Sequence, residues 1–205
     1  SVITGIAKGA GMIRPNMATT LAFIGTNLSI SHDVLQYFLE MAVEKSFHRI
    51  TIDGDTSTND ACALLATGAS PVPVIDDKNS PEAQIFYSSL EQVCIDLAQS
   101  LVRDAEGATK FISIIIEEGA SEEECLEIAF TIAHSPLVKT AIFASDPNWG
   151  RLLAAIGRAN VDSLDVSKVS IEINSELVVE EGARAASYRE EKGRCSSRRI
   201  DLFQQ

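Results

Sequence analysis

Residues 7–20, Ala-Lys-Gly-Ala-Gly-Met-Ile-Arg-Pro-Asn-Met-Ala-Thr-Thr, set a glycine-rich loop between two runs that read as strands, residues 1–7 and 19–25. Gly9 and Gly11 permit backbone conformations that other residues resist, and Pro15-Asn16 is turn chemistry. The chain is therefore expected to turn here and lead into the apolar run Leu21-Ala22-Phe23-Ile24, just after Thr19-Thr20. A threonine hydroxyl is a weak nucleophile until a base removes its proton. Cutting the chain before the threonine supplies that base, because the new α-amine serves. Such an amine titrates near ~8 in model peptides, close enough to neutrality to accept a proton during attack. The bond concerned is Ala18–Thr19. Addition of the Thr19 hydroxyl to the Ala18 carbonyl turns the amide into an ester, which water then opens. The plainer reading is a turn followed by a strand that happens to open on threonine, and these residues alone fit both.

The whole run AKGAGMIRPNMATTLAF resembles the processing segment of the bifunctional ornithine acetyltransferase / N-acetylglutamate synthase family of arginine biosynthesis. Further blocks resemble the same family in the same order. They are Phe47 to Asp60 (FHRITIDGDTSTND), Arg103 to Phe111 (RDAEGATKF), His134 to Ala141 (HSPLVKTA) and Ala144 to Arg151 (ASDPNWGR). The resemblance implies an α+β, self-processing N-terminal-nucleophile fold (DmpA/ornithine-acetyltransferase-like), of which this chain holds the end of the first half and most of the second.

The resemblance also implies a chemistry. The precursor cleaves itself at Ala18–Thr19, and Thr19 then carries acetyl from N2-acetyl-L-ornithine to L-glutamate in a ping-pong exchange that releases ornithine. Neither metal nor organic cofactor is implied, and some members also accept acetyl-CoA as donor. Lys8 stands where the family has a substrate-binding lysine, and a cation suits the α-carboxylate that both amino acids share. Glu106 stands at another substrate-binding position. It lies near a predicted helix C-terminus, where the dipole disfavours negative charge, a mild misfit that points to a cationic partner such as a substrate amine. Relatives assemble as α2β2 heterotetramers.

Composition narrows the rest. The net charge of −12 disfavours phosphate backbones and anionic lipids, so neither nucleic acid nor membrane is an expected partner. The glutamates at 117, 118, 122, 123, 124 and 127 read as a solvated face rather than a metal site. Cys62, Cys94, Cys125 and Cys195 are widely spaced without a C-x-x-C pair, and the first three lie among apolar residues as buried thiols do. With no signal peptide and no apolar run long enough to span a bilayer, the expected location is cytoplasmic. His32, His48 and His134 show no pattern for a histidine base. Asp53, Asp55 and Asp60 read as turn and capping residues packed near the loop, and Trp149 as a core anchor.

Two parts are expected, with a boundary near residues 107–110. Residues 1–18 end the α-chain and carry the processing loop, 19–108 form an α/β subdomain with the nucleophile, and 109–205 form a C-terminal α/β subdomain. Ser31 is a candidate N-cap for a helix to about Phe47. Arg49 to Asp53 and Ala61 to Ala66 read as strands. Ser80-Pro81-Glu82 starts a helix whose stripe is Phe86, Leu90, Val93, Leu97 and Leu101. Thr109 to Glu117 reads as a strand, Ser121 to Glu124 as a capping box, and Pro136 and Trp149 as further helix starts. Val169 to Ile173 and Leu177 to Val179 form a predicted hairpin.

The chain also departs from the family. Only 18 residues precede Thr19, and neither the family's Thr-Gly pair that supplies oxyanion-hole donors nor its further substrate-binding threonine is assigned among them. The terminal substrate-binding asparagine and threonine are missing after Phe203-Gln204-Gln205, and residues 180–198 match poorly. Negligible activity is therefore expected of these residues alone. Two rival readings are an N-terminal-nucleophile aminopeptidase or amidohydrolase, in which water replaces glutamate, and a non-catalytic subunit or fragment.

Overall fold

A computed structural model describes residues 1–9, 13, 20–55, 61–162, 164–189 and 199–204. Ala18, Thr19, Asp60 and Cys195 lie outside the described residues. The chain divides into two compact units, Ser1–Ala108 and Thr109–Gln205.

In the first unit, strand β1 (Ile3–Lys8) pairs antiparallel with β2 (Leu21–Thr26), from Ile3 opposite Thr26 to Lys8 opposite Leu21. β2 pairs in parallel with β3 (Ala61–Ala66), Leu21 opposite Ala61. A parallel pair needs a long crossover, and helix α1 (His32–Glu44) lies within it. Helix α2 (Pro81–Arg103) follows, with the Ser80 hydroxyl accepting from the Ala83 amide at its start. Side chains alternate across the sheet. Ala22 and Ile24 point into a core with Phe38 of α1 and Phe86, Leu90 and Cys94 of α2, whereas Leu21 and Phe23 are exposed. Gly5 fits the close approach of α2 to β1, since a Cβ there would sit 2.8 Å from Leu97 Cδ1.

The second unit runs β4 (Phe111–Ile116), α3 (Glu122–Ala133), α4 (Pro136–Phe143), α5 (Trp149–Ile156), β5 (Ile171–Ile173), β6 (Glu176–Glu180), β7 (Ala183–Arg184) and β8 (Arg199–Gln204). The sheet order is β4-β8-β5-β6-β7, with β4 and β8 parallel and the other neighbours antiparallel. Ile128, Ile132, Leu152 and Ile156 from the helices pack with Ile171, Ile173, Val178 and Val179 from the sheet, and Trp149 lies half-buried against this core. The β5–β6 turn at Asn174-Ser175 has φ of 51° and 65°, the positive pair that a tight hairpin of this twist requires.

Three expectations are corrected. α1 stops at Glu44, and residues 47–49 form a separate 3-10 turn. Residues 49–53 form no strand, because Thr51, Ile52 and Asp53 bond to Ile13 instead of to a ladder. The predicted elements stop at the hairpin of residues 169–179, whereas Arg199–Gln204 adds a strand seated between β4 and β5. Among the described residues, no single helix is long and apolar enough to cross a membrane.

Candidate active site

The glycine-rich loop joins the adjacent ends of two antiparallel strands. Lys8, the last residue of β1, lies opposite Leu21, the first residue of β2. Its side chain is exposed, on the sheet face shared with Ile6, Leu21 and Phe23. Thr20 is buried at this end of the ladder, and its carbonyl accepts the Ala61 amide at 3.1 Å. The β1–β2 pairing thus brings Lys8 to within a strand's width of the segment that Thr20 begins.

Ile13, inside the loop, is held on both sides of its backbone. Its amide donates to Asp53 Oδ1 at 3.0 Å, and its carbonyl accepts from the Ile52 amide at 2.8 Å and the Thr51 hydroxyl at 2.9 Å. Its side chain is 2% exposed. Asp53 Oδ1 also accepts the Asp55 amide at 3.0 Å, closing a turn around Gly54, whose φ of 84° suits glycine. This matches the reading of Asp53 and Asp55 as turn residues beside the loop. The clamp itself was invisible in the sequence, because nothing in residue 13 advertises a partner near residue 52.

Glu106 is exposed in the turn after α2, ahead of Gly107 at φ 71°. Asp53 and Asp55 belong to no group of metal-binding side chains among the described residues.

The later blocks build the second unit. The Ser135 hydroxyl accepts the Val138 amide at the start of α4, and Asn148 Oδ1 accepts the Arg151 amide at the start of α5. The Arg151 guanidinium donates to the Leu137 carbonyl at 2.9 Å and the Thr140 hydroxyl at 3.1 Å, fastening α5 to α4. Lys110 donates to the Ser145 hydroxyl at 2.8 Å. These residues hold elements together within that unit. Cys62 and Cys94 are unsuited to thiolate chemistry, since burial pushes them from 9.0 to about 11 and about 12.

The statistical description of the ArgJ family matches residues 1–201. The arginine biosynthesis bifunctional protein ArgJ of Pseudomonas fluorescens is 54% identical over 194 residues, which cover 93% of this chain and 47% of that protein. The ArgJ protein of Methylococcus capsulatus is 54% identical over 201 residues, 98% of this chain and 49% of its own length. The chain thus spans about half the length of these curated relatives. A crystal structure of the arginine biosynthesis bifunctional protein ArgJ from Bacillus halodurans superposes with a TM-score of 0.83 at 32% identity, covering 89% of this chain and 85% of the solved one.

Proposed function

Since the chain belongs to the ArgJ family, we propose that it carries the nucleophile-bearing half of a glutamate N-acetyltransferase that matures by cutting itself at Ala18–Thr19. The observation that carries this reading is the family match across residues 1–201, which runs unbroken through the loop and all the later blocks. The lengths support scission too. The Bacillus halodurans chain is about as long as this one, whereas the curated relatives are about twice as long.

In maturation, Thr19 Oγ attacks the Ala18 carbonyl carbon, and the Ala18–Thr19 C–N bond breaks as the hydroxyl proton passes to the departing amine. Water then opens the ester, leaving an Ala18 carboxylate and a free Thr19. In turnover, the Thr19 amine takes the Oγ proton as Oγ attacks the acetyl carbon of N-acetylornithine. That proton goes to the departing ornithine amine as its C–N bond breaks. Glutamate's amine then attacks the acetyl ester, the C–O bond breaks, and Oγ regains its proton. Exposed Lys8 is the cation for the substrate α-carboxylates, Glu106 the acid for a substrate amine, and no cofactor takes part in any of these steps. Acetyl-CoA enters this scheme only as an alternative donor.

The other half of the longer relatives is the partner this reading assigns. The outer face of the first sheet suits it, because Ile6 (69% exposed), Phe23 (50%) and Leu65 (55%) form an apolar patch of the kind that marks an interface. That half also supplies oxyanion donors, and lack of one such donor lowers the rate about 100- to 1,000-fold. The isolated chain is therefore expected to be nearly inactive, and the complete enzyme to be an α2β2 assembly. The test is Thr19→Val in the full-length precursor. It should remain one chain and transfer no acetyl, and normal maturation with normal turnover would refute the proposal.

A further inference from the structure

We propose that Asp53, with Thr51, is a positioning residue for the self-cleavage, which rests on the maturation chemistry proposed above. Residues 51–53 and Ala61 hold the two flanks, Ile13 and Thr20, of the stretch that contains the scissile bond. On the upstream side, Asp53 Oδ1, the Ile52 amide and the Thr51 hydroxyl take up the whole backbone hydrogen-bonding capacity of Ile13 at 2.8–3.0 Å. On the downstream side, the Ala61 amide holds the Thr20 carbonyl at 3.1 Å. Residues 14–19 lie between these two anchors.

Fixing both ends of so short a stretch restricts the conformations in which Thr19 Oγ can meet the Ala18 carbonyl. An intramolecular attack gains its rate from such restriction, and misplacement by about 1 Å can cost about 100-fold. The β1–β2 ladder ends at Lys8, eleven residues before Thr19. The Ile13 clamp adds an anchor only five residues before Ala18. Asp53 suits the task because the same Oδ1 that accepts the Ile13 amide also accepts the Asp55 amide, which holds the carboxylate in place. Its role is to aim the chain. No proton or bond of the reaction passes through it.

The experiment follows scission of pulse-labelled full-length precursor, reading the rate constant of conversion in folded material rather than the yield. Asp53→Ala should slow cleavage about 10- to 100-fold, and Asp53→Asn, which keeps an oxygen acceptor, should recover most of that loss. Thr51→Val removes one hydroxyl donor at nearly constant shape and should slow cleavage at least threefold. If Asp53→Ala is insoluble, Thr51→Val decides the matter alone. Wild-type cleavage rates in the soluble variants would overturn the clamp's role, as would an Asp53→Asn precursor that is as slow as Asp53→Ala. Thr19→Val run in parallel separates the two ideas. If it too is cut normally, the maturation reading fails; if it stays intact while Asp53→Ala cuts normally, only the clamp fails.

Discussion

Lys8 illustrates what one side chain contributes when its element is rigid. It stands at the end of a six-residue strand fully paired with β2, so its backbone is fixed and only the exposed side chain must order to meet a carboxylate. Charge-assisted bonds of this sort contribute about 1.5–3 kcal/mol. Lys8→Met in the complete enzyme should therefore raise KM for both N-acetylornithine and glutamate about 10-fold or more, with a smaller change in kcat. Steady-state kinetics with each substrate varied would check it. The thiols of buried Cys94 and half-buried Cys62 make a separate prediction. Cys62 and Cys94 hold their protons to about 11 and about 12 because burial disfavours the thiolate, whereas an unfolded chain releases them near 9.0. Between about pH 9 and 11 the unfolded state thus binds fewer protons, so stability falls as pH rises. Urea midpoints of the mature enzyme should drop between pH 8 and 10.5, and the double variant Cys62→Ala/Cys94→Ala should show a shallower drop.

Among the elements, Gly182 is the position least able to accept a side chain. It sits at φ 70° in the β6–β7 turn, and a Cβ there would run into the Val166 carbonyl oxygen, a backbone atom that cannot swing aside. Gly182→Ala should cost about 3 kcal/mol, read as a fall in the urea midpoint. Such turn geometry is partly legible in a sequence, and so are helix starts. Ser80-Pro81, Ser121 and Ser135-Pro136 each proved to be a cap whose hydroxyl accepts an amide from the first turn. Local chemistry suffices there, because cap and helix are neighbours in the chain. It does not suffice for Arg49 to Asp53, whose apolar alternation suggests a strand while its partner is the single residue Ile13. Nor does it reveal β8, which pairs in parallel with β4 nearly ninety positions earlier. The site shows the same division. Lys8, Thr19 and Glu106 are proposed from motifs alone, whereas the Ile13 clamp depends on a distant pairing that no local pattern encodes.

For the molecule as a whole, the β1–β2 ladder places the proposed cut inside a connection between two strands that are already paired, from Ile3–Thr26 to Lys8–Leu21. Breaking Ala18–Thr19 leaves every one of those pairings available. Enzyme whose chain has been cut should therefore migrate as one species in native mass spectrometry and separate into two polypeptides only in denaturant. Spontaneous loss of the upstream piece at neutral pH would count against this. On the proposed reading, maturation changes the connectivity of a ladder that is already paired. The timing of activation is governed by one local reaction, so a cell could hold a pool of correctly folded but silent protein for as long as that single bond survives.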